Sequence, residues 1–124
     1  MATVLVVEDE FGIADLIEAV LEDEGHRMLM AANGKLGLEM LGQERPHLVF
    51  LDYMMPVMDG ASMLRSMATD PSFRDIPVVM MSSLPEATMV QRCDGYTAFM
   101  RKPFKITDVV SLTERLIGTR SESQ

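Results

Sequence analysis

Three short runs in this chain, Val4-Leu5-Val6-Val7, Leu48-Val49-Phe50-Leu51 and Val78-Val79-Met80-Met81, are apolar at every position. A strand with one wet face alternates polar and apolar residues. An unbroken run instead fits a strand covered on both faces, as in a parallel sheet. Strands are expected near 3–7, 27–31, 47–51, 77–82 and 96–100, and helices near 11–24, 34–42, 60–69, 86–92 and 106–117. In the first helix Ile13, Leu16, Ile17, Val20 and Leu21 repeat with a helical period, and Gly25 supplies a stop. In the last, Ile106, Val109, Val110, Leu112 and Leu116 form a broader stripe that Gly118 ends. Five strand–helix units predict an α/β fold, a doubly wound five-stranded parallel sheet in the flavodoxin-like order 2-1-3-4-5. Residues 1–118 are expected to form one domain and 119–124 a polar C-terminal tail.

The ends of those runs carry the chemistry. Glu8 and Asp9 follow the first run, Asp52 the second and Ser82 the third, while Lys102 comes shortly after Ala98-Phe99-Met100. In the expected sheet the carboxyl ends of the strands share one rim, where such folds hold ligands. A charge at the end of a buried strand is costly unless it is paired. Three carboxylates on one rim repel each other unless a cation joins them, and an open, oxygen-rich site suits Mg²⁺. A carboxylate beside such a metal can attack a phosphoryl group and form an acyl phosphate. A lysine and a hydroxyl would balance the charge on the transferring group.

Composition removes other classes. The net charge is −8 and the pI about 4.6, which disfavours nucleic acid and anionic membrane as partners. No apolar stretch approaches the roughly 18 residues of a membrane span. Met1-Ala2-Thr3 runs straight into a strand pattern without a basic region, so no signal peptide is expected. Cys93 is the one cysteine, which excludes an internal disulfide, and the simple location is a reducing cytoplasm.

In Val7-Glu8-Asp9-Glu10, the stretch Leu51 to Gly60, Ile76 to Ser82, and Lys102-Pro103-Phe104, the chain resembles the receiver domain of bacterial two-component response regulators, of the single-domain chemotaxis type. The resemblance runs from about residue 3 to 118. It implies that Asp52 is the phosphoacceptor, that Asp9 and Asp52 bind Mg²⁺ (or Mn²⁺ in its place) directly and Glu8 through water, and that the Met54 carbonyl completes the set. It implies further that Lys102 pairs with the phosphoryl oxygens and Ser82 hydrogen-bonds to them. Phe99 would be the aromatic switch, Lys102-Pro103 a cis bond, and Gly60 the residue that gives the backbone room behind the phosphorylation loop. The phosphodonor would be a sensor histidine kinase or histidine phosphotransfer protein, and the output a downstream protein target still to be named. The chain would be a monomer that dimerises, if at all, on phosphorylation. It would be no enzyme beyond its own phosphorylation and dephosphorylation.

Some features depart from the family pattern. Glu8 replaces the commoner aspartate and Phe99 a tyrosine. The segment from Ser82 to Lys102 is shorter than usual and reads Cys93-Asp94-Gly95 where a Gly-Ala pair is typical. Leu84 and Pro85 leave little room for a regular fourth helix, so a short, displaced or mobile one is expected. That raises the alternative of a phosphorylation-independent receiver, an interaction module. A phosphatase working through an aspartyl phosphate would want a second acid two residues after Asp52, where Met54 stands. Plainer readings stand beside each role: Glu8 and Asp9 as helix caps, Ser83 in place of Ser82, Phe99 as core. His26 and His47 read as structural or surface residues, and the methionines at 54, 55, 58, 63 and 67 as core filling.

Overall fold

The computed structural model describes residues 1–117. Its strands are β1 (Thr3–Val7), β2 (Arg27–Ala31), β3 (Leu48–Asp52), β4 (Val78–Ser82) and β5 (Ala98–Arg101). All neighbours pair in parallel, in the order β2-β1-β3-β4-β5. The helices are α1 (Phe11–Asp23), α2 (Gly34–Gln43), α3 (Gly60–Ala68), α4 (Glu86–Arg92) and α5 (Ile106–Ile117). The expected fold class and strand order are those observed. The stop assigned to Gly118 and the tail 119–124 lie outside the described residues.

The unbroken apolar runs are the inner strands. Every residue of β3 and β4 is buried, as are Val4 to Val7 of β1, whereas β2 and β5 form the edges and are partly exposed. Alternate residues feed two cores. Val4, Val6, Phe50, Val79 and Met81 pack with Ile17, Leu21 and Val109, so α1 and α5 cover one face. Leu5, Val7, Leu51 and Met80 pack with Leu41, Met63, Leu64, Met67 and Met89, so α2, α3 and α4 cover the other. Burying a side chain such as Phe50 contributes about 1.5–3 kcal/mol.

Local chemistry sets the element ends. Gly25 closes α1 at φ 84°, with its N–H donating to the Glu22 carbonyl and that of His26 to Leu21, a glycine-based helix stop that satisfies two orphan carbonyls. Asn33 caps α2 by accepting from Leu36 N–H, and Asp59 caps α3 by accepting from Ser62 N–H. β5 starts two residues later than expected because Thr97 bonds to β4 through its side chain as well, its Oγ1 accepting from Val78 N–H at 2.9 Å. α4 is short, as expected: seven residues, of which Met89 alone is buried. The histidines are structural, since His26 Nδ1 accepts from Ala2 N–H and His47 Nδ1 from Thr3 N–H, at the start of β1. Core filling describes Met63 and Met67 but not Met54, which is 70% exposed on the loop after β3.

α3 begins directly behind the end of β3. A Cβ on Gly60 would stand 2.3 Å from the Asp52 carbonyl oxygen and 3.0 Å from Tyr53 Cα, both backbone atoms that cannot swing aside. Gly60→Ala is therefore expected to lower stability by about 1–3 kcal/mol in urea unfolding. An unchanged midpoint would show that the close approach is not required.

Candidate functional site

The carboxyl ends of β1, β3 and β4 and the turn after β5 meet on one rim. Asp52 is the last residue of β3 and is buried; Glu8 follows β1 and is 0% exposed. Between them stands Lys102, whose Nζ lies 3.0 Å from Asp52 Oδ1 and 2.9 Å from Glu8 Oε2. The turn that delivers this lysine contains a cis Lys102-Pro103 bond, and Lys102 N–H donates to the Ser82 carbonyl at 2.8 Å. Ser82 is buried at the end of β4. Its hydroxyl accepts from Leu84 N–H at 3.1 Å and keeps its own hydrogen free to donate.

Glu10, Asp52, Met54, Ser82, Ser83 and Lys102 line a cleft of about 240 Å³. The predicted residues Asp52, Ser82 and Lys102 are thus together, with Met54 at the wall and the rival Ser83 beside Ser82. Asp9 is exposed at the edge, and its charge reaches Asp52. Phe99 lies one residue before the buried Met100 on β5, half-buried, with its ring centroid 6.3 Å from that of Tyr96. The loop after Asp52 is held tightly: Met58 N–H donates to the Pro56 carbonyl, and Val57 adopts φ 69°. A β-branched residue in that region is strained by on the order of 1–3 kcal/mol.

The residue passed over in the sequence is Glu10. Ligand oxygens of Glu8, Asp9 and Glu10 all lie within 4.8 Å of one another, and Glu10 Oε1 lies 3.8 Å from Lys102 Nζ. The signal was present in the stretch Val7 to Glu10, but two acids sufficed for the expected site.

Burial governs the electrostatics. It pushes the Glu8 carboxyl up to about 7, against the pull of Lys102, with the nearby Asp52 charge adding to the rise. It raises Asp52 as well, a rise that Lys102 offsets only in part. For Lys102 burial acts downward, but Glu8 and Asp52 outweigh it and hold the ammonium above its usual value. Cys93 is buried and its thiol pushed up, so it is no nucleophile at neutral pH. Glu8 Oε2 is buried and has the Lys102 ammonium as its charged partner. A buried carboxylate beside two further acids, with one lysine between them, fits a hard divalent cation, which takes oxygen ligands and retains water.

A family model, the response regulator receiver domain, matches residues 4–114. The chain belongs to the response regulator receiver domain family. Among relatives of this receiver domain, sporulation initiation phosphotransferase F of Bacillus subtilis is 32% identical over 120 residues, 95% of either chain. The signal receiver domain of a histidine kinase from Syntrophus aciditrophicus superposes with a TM-score of 0.87 at 29% identity, over 94% of this chain and 90% of that one. The receiver domain of a sensor histidine kinase from Pseudomonas aeruginosa, solved with a magnesium ion in its active site cleft, superposes with a TM-score of 0.85 at 25% identity, over 95% and 98%. The receiver is a signalling domain of two-component systems, and such domains interact with histidine kinases or phosphotransfer proteins. No helix among the described residues is long and apolar enough to cross a membrane.

The raised Glu8 carboxyl has a consequence for stability. Its folded value of about 7 exceeds the ordinary 4.5, so the folded state binds a proton that the unfolded state releases first. The stability linked to Glu8 is full below about 4.5 and is lost as pH rises through about 7. In chelator-containing buffer Glu8→Gln should flatten that decline in thermal midpoint relative to wild type. A parallel pH profile in the two proteins would contradict the assignment.

Proposed function

We propose that this receiver, residues 1–118, takes a phosphoryl group from a histidine kinase or phosphotransfer protein onto Asp52 and signals through protein contacts. The observation that carries the reading is the buried Asp52 carboxylate, 3.0 Å from Lys102 and facing a cleft beside three further acids.

Asp9, Asp52 and the Met54 carbonyl would hold Mg²⁺, with Glu8 supporting the ion through water. The ion, when bound, neutralises charge on the acids and on the incoming phosphoryl group. Asp52 attacks phosphorus through a carboxylate oxygen. An O–P bond forms, the N–P bond of the donor breaks, and the imidazole leaves with the electron pair and takes up a proton. Lys102 already has its ammonium at Asp52 and turns to the phosphoryl oxygens as they arrive. Ser82 donates its free hydroxyl hydrogen to one of them. The change at Ser82 opens room for Phe99 to move inward, which alters the face built by α4, β5 and α5, a two-state element biased by local charge. The magnesium-bearing Pseudomonas relative supports the cation assignment.

The short α4 favours a second reading, an interaction module that works without phosphorylation. It predicts equal partner affinity for wild type and Asp52→Ala.

Incubation with Mg²⁺ and acetyl phosphate, followed by intact mass measurement, tests the main reading. One added phosphoryl group is expected in the wild type and none in Asp52→Asn. Lys102→Ala should phosphorylate at least roughly tenfold more slowly, the scale of losing one preorganised charge. An unmodified wild type, or a modification that survives Asp52→Asn, would sink the proposal.

A further inference from the structure

Glu10 occupies the N-cap position of α1, yet its side chain makes no capping hydrogen bond. The short side chains of aspartate, asparagine, serine and threonine ordinarily accept there from the first helical N–H groups, whereas the longer glutamate is left to point elsewhere. Here the backbone N–H of Glu10 donates to Glu8 Oε1 at 3.1 Å, and the carboxylate turns to the cleft, 3.8 Å from Lys102 Nζ. The side chain stays 64% exposed, so it stands at the mouth rather than the floor. It also borders a second, apolar hollow lined by Ile13, Leu16, Pro103 and Phe104. Glu10 is therefore the one acid shared by the two clefts.

Glu8, Glu10 and Asp52 each approach Lys102, and Asp9 stands beside Glu8 and Glu10. Against four carboxylates, one lysine and one divalent cation leave a single negative charge in excess. Without Glu10 the loaded cleft would be neutral. We infer that Glu10 is a donor-specificity residue: its carboxylate at the cleft mouth disfavours phosphodonors whose leaving group is an anion and favours those whose leaving group is an imidazole. An acyl phosphate releases a carboxylate into this mouth, like charge against like. An imidazole leaves as a neutral ring after protonation and offers an N–H that a carboxylate can accept. Both donors otherwise place the same phosphoryl group on the same Asp52, so their ratio isolates the mouth. Near a surface one such charge is worth several-fold in rate and is screened by salt.

This inference rests on phosphorylation of Asp52, and its test separates the two. Wild type and Glu10→Gln are phosphorylated with acetyl phosphate and with phosphoimidazole, and rates are read by intact mass. A Mg²⁺ titration of each protein's thermal midpoint sets the cation at saturation, so that weaker cation binding is not read as donor preference. Glu10→Gln should shift the ratio of the rates about three- to tenfold toward acetyl phosphate, and 1 M salt should shrink the shift. A ratio unchanged by Glu10→Gln in a protein that phosphorylates would overturn the inference alone. No mass gain in the wild type with either donor would overturn it together with the Asp52 reading.

Discussion

Lys102 is the charge on which the rim depends. Its ammonium sits about equally far from Asp52 and Glu8, two carboxylates that the fold has removed from water. Taking either pair out of solvent is expensive, and a single cation shared by two anions does not restore neutrality. Burial accordingly wins for both acids, whose carboxyl groups are pushed up despite the lysine beside them. Such an arrangement makes little sense as a stabilising feature. It leaves a site short of positive charge, as the proposed cation and phosphoryl chemistry requires.

The sheet produces this geometry without any long loop. Parallel pairing aligns Asp52 with Met81 on β4, and Ser82 with Arg101 on β5, so that successive strand ends step along one edge. The backbone bond from Lys102 N–H to the Ser82 carbonyl fixes the lysine's turn against β4. Gly60 lets α3 close up behind Asp52, and the strained turn at Val57 carries the chain out of the cleft and back to that helix. Residues distant in sequence are thereby held to within a hydrogen bond of one another by the most buried part of the protein.

Much of this was legible in the residues alone. Strands covered on both faces leave an unbroken apolar run, so β1, β3 and β4 could be read directly, and with them the rim that holds Glu8, Asp52 and Ser82. The roles given to those residues came from motif resemblance, which covers the whole rim but treats each position by type. Glu10 escaped because an exposed acid at the start of a helix has an ordinary explanation in capping. Only the side chain's direction shows that it does not cap. The core reading of Met54 fails for a similar reason: composition cannot tell a methionine under a helix from one on a loop above it. The Thr97 side-chain bond that delays β5 is equally invisible to hydrophobic pattern.

The central claim is that Asp52 is kept for phosphoryl chemistry at a cost to the fold. The most direct measurement compares thermal midpoints of wild type and Asp52→Asn at pH 8, in chelator and in saturating Mg²⁺. In chelator the asparagine variant should melt higher, because one buried like charge is gone. Mg²⁺ should raise the wild-type midpoint, with most of that gain absent from Asp52→Asn. A variant that melts lower in chelator and gains as much from Mg²⁺ as the wild type would contradict the claim, and would make Asp52 a structural partner of Lys102.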